Sequence, residues 1–315
     1  MQRASLREAL RLGERYLQER GVEDAAVDAW LLLEYVTGIT RTVFLAESRQ
    51  EMPEESLARY QELLAKRGNH IPLQHLTGVQ EFMGFPFRVN EHVLIPRQDT
   101  EILVEEALKR LQPGMRVLDM CTGSGCIAVS LAKLCEASMD TGSQKRQKEA
   151  GAQKDREAAA MQKNQDAAGI NSLTVDAADI SPEALAVAAE NASRLGADVR
   201  FLCSDLFAEL SGTYDMIVSN PPYIRSAVIE ELAEEVRCHE PYQALDGKAD
   251  GLYFYRRIIR EGRKYLGENG WLLFEIGYDQ AAQVTELLAE AGFRETETVK
   301  DLAGLDRVVL GRYPG

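Results

Sequence analysis

The stretch "VLDMCTGSGCIAVSLA", Val117–Ala132, decides the fold. Its apolar start closes on Asp119, a turn carries Gly123 and Gly125, and an Ala-rich apolar run follows, so it reads as strand, turn and helix. The two glycines leave out side chains where the backbone must come close to a ligand. The helix start behind them offers free N–H groups at the positive end of its dipole. No Gly-Lys-Ser/Thr ending follows, which excludes a phosphate-binding P-loop.

The pattern repeats downstream. "SLTVDAADI", "VRFLCSD", "YDMIVSN", "GWLLFEIG" and "RVVLGRY" read as short apolar strands, separated by helical runs such as "PEALAVAAENASRLG", "GLYFYRRIIREGRKYL" and "DQAAQVTELLAEAGF". Strands alternating with helices imply an α/β fold with a mostly parallel sheet. Such sheets bind ligands outside the carboxyl ends of their strands. One segment departs from the pattern. Glu136–Ser172, 37 residues rich in Ala, Gln, Lys and Asp, is nearly free of aromatic and β-branched residues and has little surface to bury. A mobile surface insertion is expected there.

Upstream, apolar residues recur at helical spacing in "LREALRLGERYLQ", "DAAVDAWLLLEYVTG" and "SLARYQELLAKRG", with Gly21, Gly38 and Gly68 as stops and Pro53 opening a helix. Residues 1–71 therefore read as a small all-helical domain, either structural or suited to gripping a macromolecular substrate. "LTGVQEFMGFPFRVNEHVLIPR" shifts to aromatics, β-branched residues and Gly, Pro and Asn breaks, so 72–97 reads as a β-hairpin linker. The sheet domain is expected over 98–315, opening on the helix "RQDTEILVEEALKRL".

A chain of 315 residues, 45% hydrophobic and 27% charged, has the composition of a soluble globular protein and the length for two domains. It has no run of about 18 apolar residues, and "MQRASLREALRLGERYLQ" is a charged amphipathic helix rather than a signal peptide. A cytoplasmic monomer with no membrane partner is expected. The net charge of −14 repels polyphosphates and argues against direct nucleic-acid binding. Cys121, Cys126, Cys135, Cys203 and Cys238 form no CxxC pair, and no His stands at zinc-finger spacing, so buried free thiols and no metal are expected. His70, His75, His92 and His239 lack a Cys or carboxylate at ligand spacing and read as solvated or capping residues.

Four elements carry chemistry. The first is the loop itself, with Asp119, Cys121, Thr122, Gly123, Ser124 and Gly125 as candidate cofactor-binding residues for a dinucleotide or S-adenosylmethionine. The second is an acid at the end of the next strand, suited to ribose hydroxyls. Asp179 lies 54 residues after Gly125, and setting aside 136–172 leaves 17, against an expected spacing of about 20. Asp176 is the alternative, earlier in the strand. The third is Asp205 in "CSDLF", placed to bind an adenine amino group while Leu206 covers the ring, or else to cap a helix.

The fourth is Asn220-Pro221-Pro222-Tyr223, directly after the apolar "YDMIV". A planar amide or aromatic amine has a delocalised lone pair and is a poor nucleophile. A site assists by accepting hydrogen bonds from both N–H atoms, one at the Asn220 side-chain oxygen and one at the Pro221 carbonyl. The prolines hold that carbonyl in place, and Tyr223 can stack on the planar group. Catalysis of this kind is positioning plus electrostatic support, without metal, covalent intermediate or general base, because the methylated nitrogen can release its proton to water.

In this order the four elements resemble class I S-adenosylmethionine-dependent methyltransferases that act on planar nitrogens. Asn-Pro-Pro-Tyr is shared by adenine-N6 and glutamine-N5 enzymes. The longer stretches "PLQHLTGVQEFMGFPFRVNEHVLIPRQDTE", "LDMCTGSGCIA", "DISPEAL", "SNPPYI", "EPYQALDGKADGL", "FEIGYDQ" and "KDLAGLDRVVLG" resemble the PrmC/HemK family of peptide-chain release factor glutamine methyltransferases over nearly the full length. The resemblance implies a Rossmann-like, seven-stranded, mostly parallel sheet and S-adenosylmethionine as cofactor. It implies methylation of the glutamine amide in the Gly-Gly-Gln loop of release factors, with the helical domain helping to dock the factor. Asn220, Pro221 and Tyr223 are the implied catalytic residues, Asn220, Pro221, Pro222 and Tyr223 contact the acceptor, and Asn220 also borders the cofactor. Two positions depart from the family pattern: Cys121 replaces the first loop glycine, and Gly247-Lys248 replaces a Gly-Gly pair. Arg97 and Glu101 read as cofactor-side groups or as a surface ion pair. The competing readings are a nucleic-acid adenine-N6 methyltransferase and a non-catalytic cofactor-binding module.

Overall fold

The computed structural model describes residues 4–136 and 173–315; all but the first residue of the expected insertion lies outside them. The chain forms two compact units. One comprises Met1–Val79, Val89–Glu91 and Leu232–Glu240, the other Gln80–Arg88, His92–Glu231 and Pro241–Gly315.

The first unit contains α1 (Leu6–Glu19), α2 (Ala25–Thr37), α3 (Arg41–Glu47), α4 (Glu54–Arg67) and α5 (Leu73–Thr77). Ser5 and Glu8 start α1 as a reciprocal capping box: each side chain accepts from the other's backbone N–H. Gly38 ends α2 at φ +68, the left-handed conformation glycine adopts without steric cost. Gly68 ends α4 at φ −65, so its lack of a side chain has another cause: a Cβ there would stand 2.8 Å from the Tyr16 ring. Leu17, Leu32, Leu33, Tyr60 and Leu63 fill the core between α1, α2 and α4.

Next comes a hairpin of β1 (Val79–Phe82) and β2 (Phe85–Arg88). Met83 and Gly84 join the strands with φ of +50 and +76, the backbone of a type I′ turn. The sheet unit continues with α6 (Gln98–Leu108), β3 (Arg116–Met120), helix α7 (126–136), β4 (Thr174–Asp179), α8 (Pro182–Leu195), β5 (Arg200–Cys203), β6 (Tyr214–Ser219), β7 (Leu266–Glu275), β8 (Arg294–Lys300) and β9 (Asp306–Arg312). The strand order is β5-β4-β3-β6-β7-β9-β8. The first five strands are parallel and β9 runs antiparallel to both neighbours, so the expected seven-stranded, mostly parallel sheet is present. Successive side chains point to opposite faces. Val117, Met216 and Val218 pack with α6 and α7, while Leu118, Met120, Ile217 and Phe274 pack with helices Tyr253–Gly262 and Ala281–Glu290.

The cysteines depart from expectation in part. Cys126 and Cys135 are buried, but Cys203, at the end of the edge strand β5, and Cys238 are exposed; all five are free thiols. Among the described residues no single helix is long and apolar enough to cross a membrane.

Two buried aspartates owe their place to arginines. Asp176, 1% exposed, accepts from Arg200, Tyr214 and Arg116 at 2.6–2.8 Å. Burial raises its pKa, but these donors outweigh it and hold the carboxyl below its ordinary value. With its oxygens committed there, Asp176 is a strut of the sheet and leaves the strand end to Asp179. In the helical unit, Arg67 donates to Asp28 at 2.6 Å, both side chains 8% exposed, and also pairs with Glu235 at 2.8 Å. Burial pushes the Asp28 carboxyl up despite this partner, so the pair itself contributes little, yet removing Asp28 leaves the buried Arg67 with only the half-exposed Glu235 as a charge partner. Asp28→Ala is therefore expected to destabilise the helical unit by about 3 kcal/mol, read as a lower urea midpoint for the loss of its helical signal.

Candidate active site

The neighbouring strands β3 and β6 run parallel with Met120 opposite Ser219, and the Ser219 hydroxyl donates to the Met120 carbonyl at 2.6 Å. The loop after β3 and the Asn-Pro-Pro-Tyr segment after β6 therefore leave the sheet side by side. Chain order reverses between these strands, which opens the crevice where parallel α/β sheets bind ligands. A cleft of about 280 Å³ lies there. Cys121, Thr122, Gly123 and Ser124 form one wall, with Asp179 from the end of β4. Asp205 and Leu206, following β5, and Asn220 and Pro222, following β6, also line it.

The loop is held from beneath. Asp119 is fully buried; its Oδ2 accepts from the Thr122 hydroxyl at 2.5 Å and from Ala128 N at 3.1 Å. It thus braces the turn and the start of α7 without lining the cleft. Burial raises its pKa to about 7. Gly125 likewise faces inward: at φ +78, a Cβ would come 3.0 Å from that of Ala188 on α8. Asn191 completes the support, its amide donating to Ser124 O at 2.9 Å and Arg88 O at 3.0 Å, and accepting from Arg88 N.

The open side of the turn belongs to Gly123. It has φ +53, and a Cβ there would meet no protein atom within 4 Å. Its N–H donates to Asp179 Oδ2 at 2.9 Å, while Asp179 Oδ1 accepts from Ser181 N at 3.0 Å. Two backbone donors thus fix this carboxylate at the cleft wall, with lone pairs left over. Asp205 pairs with Arg257 at 2.9 Å. Turns rather than a helix follow Asp205, which removes its capping role. Leu206 is buried at φ +50. Three non-glycine residues lining the cleft, Cys121 (+64), Leu206 and Lys248 (+70), occupy left-handed backbone, at a cost of about 1–2 kcal/mol each.

Asn220 is half-buried, and its Nδ2 donates to Thr100 Oγ1 at 3.3 Å. Pro221 and Tyr223 stand behind the lining residues. The Tyr223 hydroxyl donates to Glu275 Oε1 at 3.3 Å, and its carbonyl accepts from Gln280 Nε2 at 3.0 Å. Of the two residues read as a cofactor-side group or an ion pair, Arg97 lines the cleft, whereas the Glu101 carboxylate turns to the hairpin and accepts from Met83 N at 2.6 Å. His92, Thr100, Lys248 and Phe254 also line the cleft and were not picked out as site residues by the sequence reading. Only Lys248 carried a signal, standing where a glycine was expected.

The Asp179 carboxylate, the Asp205 carboxylate beside apolar Leu206 and the side-chain-free turn at Gly123 thus line one cleft. These features, at the carboxyl edge of a seven-stranded sheet with reversed order, are those of a class I S-adenosylmethionine-dependent methyltransferase. Comparison with known proteins narrows this. Residues 8–78 match the family model for the PrmC N-terminal domain, and 158–246 that for the methyltransferase small domain. The chain is 39% identical over 309 residues to the release factor glutamine methyltransferase of Geobacter sulfurreducens, covering 98% of this chain and 96% of the relative. With the Bacillus subtilis enzyme of that name it shares 36% over 313 residues, 96% of each. A solved release factor-specific protein-(glutamine-N5) methyltransferase from Alicyclobacillus acidocaldarius is 30% identical over 73% of this chain and 100% of its own, with a TM-score of 0.36. This chain belongs to the release factor glutamine methyltransferase family.

Asp179→Asn keeps the shape but removes the charge that would receive the ribose hydroxyls. It is expected to weaken S-adenosylmethionine binding about tenfold to a hundredfold, measured by titration calorimetry.

Proposed function

We propose that this protein transfers the methyl group of S-adenosylmethionine to the side-chain amide nitrogen of the glutamine in the Gly-Gly-Gln loop of peptide-chain release factors. One observation carries the reading: Asn220 and Pro222 border the same cleft as Gly123 and Asp179. An acceptor held by the Asn-Pro-Pro-Tyr segment would thus meet whatever the loop holds. The full-length likeness to release factor glutamine methyltransferases supports the choice of amide.

Bound in the cleft, S-adenosylmethionine supplies an electrophilic methyl on a sulfonium. Asp179 receives the ribose, Asp205 and Leu206 frame the adenine, and Cys121, Thr122, Gly123, Ser124 and Gly125 shape the loop, with Asp119 bracing it. Asn220 Oδ1 and the Pro221 carbonyl accept the two N–H groups of the glutamine amide and keep its nitrogen aimed along the transfer axis. Pro222 fixes that backbone. Tyr223, anchored through Glu275 and Gln280, stiffens the segment that holds the amide. Such contacts act by orientation, which accounts for a large share of catalysis when reactants are held in near-attack geometry. The helical unit docks the release factor, and the protein works as a cytoplasmic monomer without direct nucleic-acid contact, in keeping with its net charge of −14.

With labelled S-adenosylmethionine and a release factor, label is expected on the Gly-Gly-Gln glutamine alone, located by mass spectrometry. Transfer to DNA or RNA instead would favour the adenine-N6 reading and would fall steeply with salt. Asn220→Ala is expected to lower kcat by about a hundredfold or more while S-adenosylmethionine binding is retained; unchanged turnover would remove Asn220 from catalysis.

A further inference from the structure

Behind the Asn-Pro-Pro-Tyr segment, Thr100 joins Asn220 to the buried acid that anchors Tyr223. Asn220 Nδ2 donates to Thr100 Oγ1 at 3.3 Å. Thr100, on the first turn of α6, is 3% exposed. Its hydroxyl lies within reach of the carboxylate of Glu275, the last residue of β7, and favours the charged form of that acid. Glu275 is 2% exposed; its Oε1 accepts from Tyr223, and its Oε2 is buried without a hydrogen-bond partner. Two residues of the catalytic segment, Asn220 and Tyr223, are thereby tied to one buried acid.

The chemistry of this chain selects an orientation. An asparagine amide presents an acceptor on one side and a donor on the other, and the two are nearly the same shape. Only the acceptor end can receive an N–H from a substrate amide. A threonine hydroxyl has one proton. When that proton is drawn toward the Glu275 carboxylate, the lone pairs of Oγ1 are left to accept from Asn220 Nδ2. The Asn220 oxygen is then the end that remains for the cleft.

We propose that Thr100 and Glu275 are positioning residues for methyl transfer, which set the Asn220 amide with its oxygen toward the acceptor nitrogen. The proposal rests on the reading of Asn220 as the acceptor-binding residue. Neither touches the reacting atoms. The carboxylate form of Glu275 does the selecting, because a protonated carboxyl can donate to Thr100 Oγ1 and release the hydroxyl proton toward Asn220, favouring the flipped amide. The groups acting on Glu275 are Thr100 and Asp99 on α6, Tyr223 on the catalytic segment and Arg307 on β9. Burial is the largest influence and lifts its pKa to about 7. Turnover should therefore rise with pH through that region.

The test uses the full chain as wild type and as three variants: Thr100→Val, Thr100→Ser and Glu275→Gln. Two readouts are taken. In steady-state transfer to a release factor, T100V is expected to lower kcat about tenfold or more, with KM and the Kd for S-adenosylmethionine within twofold of wild type. T100S, which keeps the hydroxyl, should recover most of that loss, and E275Q should lose the acidic limb of the kcat profile. The second readout needs no turnover. The side-chain NH2 signals of Asn220 in nitrogen-15 asparagine-labelled protein should move with pH near 7 in wild type and T100S, and stay fixed in E275Q. Unchanged kcat in T100V, equal loss in T100S and T100V, or Asn220 signals indifferent to pH would each overturn the proposal. Absence of transfer by the wild type would defeat the release-factor reading instead, and the Asn220 signals would still decide this one.

Discussion

The whole site hangs on the parallel pairing of β3 with β6. Met120 stands level with Ser219, and the Ser219 hydroxyl, fully buried, closes on the Met120 carbonyl. Because the two strands end together, the glycine turn and Asn220 start from one line across the sheet. A shift of one residue would turn Val117 and Leu118 to the wrong faces, so the core on both sides enforces the register that the chemistry needs. Packing and catalysis are set by the same hydrogen-bonded ladder.

Backbone strain gathers where the ligand must approach. Cys121, Leu206 and Lys248 sit at positive φ around one cleft, and strain of this kind persists only where surrounding structure over-determines it. At Cys121 the constraint is visible: the next residue donates from its N–H to Ala178 O, and its hydroxyl is held by Asp119. At Lys248 the side chain pairs with Asp246 at 2.8 Å, and that carboxylate also accepts from Lys248 N. The local network thus holds a left-handed turn that glycine would adopt freely.

The sheet and its cleft were legible from sequence because they depend on short-range signals: alternation of strands and helices, glycines in a turn, acids and an amide at strand ends. Asp179 could be singled out by its spacing and its place at the strand end once the 136–172 stretch was set aside, with Asp176 as the alternative. Asp119 shows where such signals stop. A carboxylate near a strand end can face the ligand or the loop's underside, and residue type is the same for both; only the tertiary donors Thr122 and Ala128 distinguish them. Thr100 and Glu275 lie further out of reach. Thr100 meets Asn220 across 120 residues, and in "PRQDTE" it reads as an ordinary helix-start threonine.

Asp119 and Glu275 share one design on the two strands that flank β6. Each is buried, each is lifted to about 7 chiefly by burial, and each has one bonded oxygen and one without a partner. A folded-state pKa above the unfolded value means that the native protein holds more protons between about pH 4 and 7, so both acids lower stability as pH rises through that window. Apolar residues of similar volume would remove this penalty. What an apolar residue would lack is direction. Asp119 fixes the turn through Thr122 and Ala128, and Glu275 fixes Tyr223 through its hydroxyl. The two walls of the cleft are therefore oriented by groups that stand behind them, and the stability lost to their burial sustains the alignment of loop and amide.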